Sequence, residues 1–243
     1  MKTKDLNPVS VGGIPVIPFQ TIEQVSKIVV SEQGDIQHGV AIAINPEKIL
    51  RSMEDVEVKR ILQSATIPYA DGIGVVKVLE QKANIKLSRI PGVQLWQSIL
   101  ARASIFKKRV YLIGSDKETL NICMVKLEQQ YDLNIVGSQH GYFVDETQEI
   151  EKIANSRPDI VIVALGSPKQ EMFIEKCRKG HPHAFYMGVG GSFDVYSGKV
   201  KRAPDFWINL NLEWFYRLIK EPKRIFRQMS LLKFFYFYCL RKL

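Results

Sequence analysis

Ile160-Val161-Ile162-Val163-Ala164-Leu165-Gly166-Ser167-Pro168-Lys169-Gln170-Glu171 is the stretch on which the fold turns. Its first six residues are apolar and mostly β-branched, the composition of a strand buried on both faces. A glycine then breaks the run. Ser167, Pro168 and Gln170 follow with the spacing of an N-cap, an N1 proline and an N3 glutamine, which predicts a helix start. A doubly buried strand that turns directly into a helix is the unit of a parallel sheet, because parallel neighbours need a crossover. The alternation recurs in both directions. Val40 to Ile44 and Val110 to Ile113 read as buried strands, and Ala184 to Met187 is strand-like. Ser115-Asp116-Lys117-Glu118 has capping-box spacing before a helix predicted to run to about Tyr131, and Pro91 suits the start of a helix over Gln94 to Phe106. The pattern predicts an α/β, Rossmann-like fold, a mostly parallel sheet with helices on both faces.

Ligands of such sheets bind beyond the carboxyl ends of the strands. Polar or glycine-rich residues stand at those ends: Asn45-Pro46-Glu47, Tyr69-Ala70-Asp71-Gly72-Ile73-Gly74, Gly114-Ser115-Asp116, Gly166 to Glu171, and Gly188-Val189-Gly190-Gly191-Ser192-Phe193-Asp194. They are expected to share one rim. Residue type alone leaves two readings for each. Asp71 is a general base towards a hydroxyl or a helix cap, and Glu171 has the same ambiguity. Gly188 to Gly191 brings backbone N–H groups close to a phosphate or makes a tight turn, and it lacks the Gly-x-Gly-x-x-Gly spacing of a dinucleotide site. Arg89 pairs with a pyrophosphate or a sugar carboxylate, or is a solvated loop charge. His181-Pro182-His183 has no acid or cysteine set beside it, and no Asp-x-Asp pair occurs, so no metal and no cofactor is expected. Cys123, Cys177 and Cys239 lie far apart and read as reduced packing residues.

The 243 residues are 46% hydrophobic, enough for one α/β domain and an appendage. Their net charge of +9 is uneven. From Trp214 to Leu243 there are eight basic residues against one acid, so this segment faces an anionic partner. After Ala203-Pro204, the residues Phe206, Leu210, Trp214 and Leu218 fall four apart and predict one apolar helix face, which Pro222 breaks or restarts. Leu231 to Leu240 is aromatic-rich and flanked by Lys233, Arg241 and Lys242, as in a segment that lies at a membrane interface. The predicted division is an α/β catalytic domain over 1–203 and a basic amphipathic, membrane-associating appendage over 204–243. No signal peptide and no membrane-spanning run is read in the chain. The charge also admits a nucleic-acid-binding protein, although RNP-like and helix-turn-helix patterns are absent. The α/β pattern also admits a nucleotide-dependent oxidoreductase. The oligomeric state is left open.

The same junctions carry a resemblance. Asn45-Pro46-Glu47-Lys48, Tyr69 to Gly72, Val136-Gly137-Ser138-Gln139-His140-Gly141-Tyr142-Phe143, Ala164 to Glu171, Tyr186 to Gly191, Val200-Lys201-Arg202-Ala203-Pro204 and Leu212-Glu213-Trp214-Phe215-Tyr216-Arg217-Leu218 resemble, in order, the WecG/TagA/CpsF family of bacterial glycosyltransferases. The resemblance runs from about Gly12 to Leu240. The wording at Gly166 to Glu171 and Val200 to Pro204 is similar to the branch that acts in enterobacterial common antigen synthesis. That resemblance implies transfer of N-acetyl-D-mannosaminuronic acid (ManNAcA) from its UDP-sugar to undecaprenyl-pyrophosphate-linked GlcNAc. It also implies inversion to a β-1,4 link, no metal, and a tail that docks on the inner face of the bacterial cytoplasmic membrane. It places Asp71 as general base, Asn45, Arg89, Gln170 and Asp194 at the donor, and Arg217, Arg224 and Arg227 near the pyrophosphate. N–H groups near Gly190 would share the developing charge. Members of the teichoic-acid branch, which use N-acetylmannosamine, have a threonine where this chain has Ala43.

Overall fold

The computed structural model describes residues 6–210, 212–220 and 225–243, with the side chains at 205, 209, 217 and 225–229 outside the description. A short hairpin, β1 (Val9–Val11) and β2 (Ile14–Val16), precedes a six-stranded parallel sheet. The sheet comprises β3 (Gly39–Ile44), β4 (Ile67–Ala70), β5 (Arg109–Gly114), β6 (Asn134–Gln139), β7 (Ile160–Ala164) and β8 (Phe185–Gly188). Their spatial order is β4-β3-β8-β7-β5-β6, all parallel.

Side chains alternate across the sheet. Ala41, Leu112, Ile162 and Met187 point into one core and Ile42, Ile113, Val163 and Tyr186 into the other. The first core is covered by α1 (Ile22–Val29), α5 (Gly92–Ile105), α6 (Lys117–Gln130) and α9 (Ser192–Ser197). The second lies under α2 (Pro46–Glu54), α3 (Val56–Gln63), α4 (Ile73–Ala83), α7 (Glu146–Ser156) and α8 (Lys169–Gly180). At the centre of the first core the fully buried Trp96 packs on Phe193 and Tyr196 of α9, with ring centroids 5.5 and 5.1 Å away. Two buried layers around a parallel sheet are the predicted architecture.

Three local expectations are corrected. The α8 helix is capped at Pro168, without a side-chain bond, and not at Ser167. Gly166, at φ +77°, carries the chain one residue further, and Ser167 faces the cleft described below. At α6 the cap is Asp116, whose carboxylate accepts from the Thr119 N–H. Ser115 stands at φ +55° and donates its hydroxyl to Asp194 at 2.9 Å. Aspartate is as good a cap as serine, and here it is the residue that reaches the N3 amide. The segment after Pro204 is not one helix. It forms α10 (Asp205–Asn209) and α11 (Glu213–Lys220), so Phe206 and Trp214 lie on different helices. Pro222 lies outside the described residues.

The last helix, α12 (Ile225–Cys239), returns to the α/β body and packs on α2 and α4. Phe234 is 3% exposed and seats in the second core, beside Gly74. No helix of the described residues is long and apolar enough to cross a membrane.

Candidate active site

The helices that follow β3 and β7 cover one face of the sheet, and the helix that follows β8 covers the other. Chain leaving neighbouring strands in opposite directions opens a crevice at their carboxyl ends. The cleft found there has a volume of about 750 Å³, within the range of small-molecule sites. Asn45, Asp71, Arg89, Gln170, Gly190 and Asp194 all line it, whereas Gly114-Ser115-Asp116, the fifth junction expected on the rim, does not. Lys48, Arg51, Lys199, Lys201 and Lys220 add positive charge to its walls, and Glu47 and Glu213 add acids.

Asp71 follows the last residue of β4. Its own N–H donates to the Ile44 carbonyl, which fixes the backbone beside β3. Gly72, not Asp71, occupies the cap position of α4, so the carboxylate does not cap the helix that follows it. One of its oxygens accepts from the Gly92 N–H at 3.3 Å. The Ile90 N–H donates to the Ala70 carbonyl, and this bond brings the Arg89–Pro91 loop alongside. Tyr69 sits just below with its hydroxyl fully buried and without a hydrogen-bond partner among the described residues. Burial, and then the charges of Asp71 and Glu171, push that phenol well above its ordinary pKa, so it stays protonated.

Arg89 does not stand as a solvated charge. Its guanidinium donates to Glu213 of α11 at 2.6 Å. The pair ties the body to the segment after Pro204, across the mouth of the cleft. Asn45 caps α2, its side-chain oxygen accepting from the Lys48 N–H at 2.9 Å. Asp194 is held in α9 by the Ser115 hydroxyl.

Gln170 and Gly190 are bonded to each other. The Gly190 N–H donates to Gln170 Oε1 at 2.8 Å, so this amide is already engaged within the protein and is not one that the turn offers to a ligand. Gln170 Nε2 donates to Glu171 Oε1 at 3.0 Å, and the same oxygen accepts from Lys48 Nζ at 2.7 Å. Burial raises the Glu171 pKa, but the charge and hydrogen bond of Lys48 and the bond from Gln170 outweigh it, so the carboxyl lies below its ordinary value. Lys48 was quoted with its neighbours but not singled out by the sequence, and its partner is 123 residues away. No local pattern could have paired them.

Arg217 lies on α11 and Arg227 on α12, with side chains outside the description, and Arg224 is outside the described residues. His181 bonds the Pro158 carbonyl at 2.9 Å and takes no part in the cleft. Among the described residues no three His, Cys, Asp or Glu side chains are grouped to hold a metal ion.

A cleft of this size, lined by charged residues of both signs at the point where a parallel sheet sends its helices to opposite faces, defines a small-molecule site of the α/β class. The particular chemistry comes from the whole chain. Residues 9–243 match the glycosyl transferase WecG/TagA/CpsF family model, and the protein belongs to that family. It is a glycosyltransferase of cell-surface polysaccharide synthesis, the class that joins a sugar-nucleotide donor to a lipid-linked acceptor.

Proposed function

We propose that the enzyme transfers ManNAcA from UDP-ManNAcA to undecaprenyl-pyrophosphate-linked GlcNAc, with inversion, at the cytoplasmic face of the inner membrane. The observation that carries the mechanism is the Asp71 carboxylate, which lines the cleft at a strand end, does not cap the helix that follows it, and is steadied by the Gly92 N–H at the start of α5. Asp71 takes the proton of the acceptor hydroxyl as its oxygen forms a bond to the anomeric carbon. The bond from that carbon to the UDP oxygen breaks on the opposite face, and UDP leaves with the electron pair. Arg89, Lys201 and Lys220 of the cleft wall, and Arg217, Arg224 and Arg227 of the tail, supply positive charge to the leaving diphosphate. Asn45, Gln170, Gly190 and Asp194 shape the donor side.

The donor assignment rests on two supports. Lys48, Arg89 and Lys199 are engaged by Glu171, Glu213 and Asp116, and Arg51, Lys201 and Lys220 are the further cleft-wall cations that we assign to a diphosphate and a sugar carboxylate. Ala43, where the teichoic-acid branch has a threonine, lines the cleft, so the missing hydroxyl falls on the ligand side of the strand. A UDP-N-acetylmannosamine transferase is the second reading on family grounds. We take residues 1–203 as the catalytic domain and 204–243 as its membrane-associating appendage. Purified protein given a lipid-pyrophosphate-GlcNAc acceptor is expected to turn over UDP-ManNAcA in preference to UDP-ManNAc, and to keep its activity in EDTA. Preference for UDP-ManNAc overturns the donor assignment. Activity lost in chelator and restored by Mg²⁺ or Mn²⁺ overturns the metal-free mechanism.

A further inference from the structure

Four groups form one chain of hydrogen bonds beneath the cleft: Lys48, Glu171, Gln170 and the Gly190 amide. It joins the three junctions that leave β3, β7 and β8. Its side chains are nearly sealed from solvent, with Lys48 8%, Gln170 4% and Glu171 5% exposed. A buried ion pair stabilises little on balance, because desolvation offsets the Coulomb attraction. Its place in this chain suggests another use.

The argument turns on the Gln170 carboxamide, which has an acceptor end and a donor end. An ionised carboxylate only accepts, and a backbone N–H only donates. Between Glu171 and Gly190 the amide therefore fits in one orientation, with its NH₂ towards Glu171 and its oxygen towards Gly190. Turned over, it would set two acceptors face to face at one end and two donors at the other. Lys48 keeps Glu171 an acceptor, so both ends of the amide select the same orientation. A protonated Glu171 could donate to the amide oxygen, and the reversed form would then be opposed only by the Gly190 N–H.

The glycines around Gln170 fit this reading. A Cβ at Gly188 would lie 2.7 Å from Gln170 Nε2, so the amide packs against bare backbone. Gly190 stands at φ +53°, and its N–H is the one that Gln170 holds.

We propose that Lys48 and Glu171 are positioning residues that set the Gln170 amide and, through it, the conformation of the Gly188–Gly191 turn lining the donor side of the cleft. The link to the donor rests on the proposed function. The link to the turn does not.

The test is amide hydrogen exchange by NMR on the full chain, with UDP affinity by calorimetry alongside. K48M/E171M replaces the pair with apolar side chains of similar volume, a change that buried pairs often tolerate. In that variant the Gly190 amide is expected to exchange roughly 5-fold faster or more, as for loss of one hydrogen bond. The Phe185 amide, at the start of β8 and outside the turn, donates to the Asp159 carbonyl at 2.9 Å and is expected to keep its rate. UDP affinity is expected to fall while the melting temperature changes little, and K48R, which retains the charge, is expected to keep Gly190 protected. Should the double variant fail to fold, E171Q carries the same comparison. Unchanged Gly190 exchange in a folded variant overturns the proposal, and so does equal acceleration of Gly190 and Phe185, which marks a purely global effect. Absence of UDP binding by the unaltered protein would sink the donor reading and leave the exchange comparison standing.

Discussion

At the scale of single residues, Asp71→Asn separates the role of base from that of shape. The amide is nearly isosteric and can still accept from the Gly92 N–H, but it cannot take the acceptor proton. Turnover is expected to drop roughly 10²- to 10⁴-fold, with UDP affinity held. Near-normal turnover would remove Asp71 from the mechanism. The cysteines give a second check. Burial pushes the thiols of Cys123 and Cys177 up to about 12, whereas Cys239 is exposed on α12. A thiol reagent at pH 8 is expected to label one cysteine in the native protein and all three after denaturation. Asp71 and the Asn45 junction were legible in sequence because each follows an apolar run where a strand ends, whereas the donor-side roles of Asn45, Gln170 and Asp194 rest on the family resemblance, and Gln170 and Asp194 lie inside α8 and α9. The Glu171 side chain was ambiguous for the opposite reason. A first-turn acid suits any helix, and only the distant Lys48 tells this one apart.

At the scale of elements, Asn45 tests how a cap and a ligand group share one side chain. Asn45→Ala removes the bond to the Lys48 N–H and is expected to cost about 1 kcal/mol in a denaturant melt. Its effect on KM for the donor is expected to exceed what the stability loss explains. A variant that is less stable but kinetically normal would reduce Asn45 to a cap. The buried strands β3, β5, β7 and β8 were readable because burial on both faces demands unbroken apolar runs. The edge strand β6, Asn134–Gln139, is half exposed and mostly polar in its second half, so its composition did not mark it as a strand. Both predicted capping boxes named a serine and missed the helix start by one residue, at Asp116 and Pro168. Spacing alone cannot show which of two adjacent polar residues has its side chain aimed at the N3 amide.

At the scale of the whole molecule, the tail is both a wall of the site and a surface. Tyr216, Lys220, Ser230 and Leu231 line the cleft, and Phe234 is locked into the body. On α12, Leu232, Phe235 and Tyr236 are 73%, 64% and 61% exposed, next to a basic segment. Phe234→Ala is expected to destabilise the fold by about 3 kcal/mol in a denaturant melt. Changing Leu232, Phe235 and Tyr236 together to serine is expected to leave stability within about 0.5 kcal/mol and to abolish sedimentation with anionic liposomes. If that triple variant still sediments with the vesicles, the membrane role of this face is wrong. Deleting the helix would confound the two effects, which the sequence could not foresee, because its pattern did not say that Phe234 faces inward. The three tryptophans are divided in the same way. Trp96 is sealed in the core against α9, the helix that carries Asp194, whereas Trp207 on α10 and Trp214 on α11 are partly exposed. A sealed indole emits at shorter wavelength than a wetted one. The molecule therefore contains its own two-colour optical probe, one signal following α9 and the core beside the cleft and the other following the helices after Pro204.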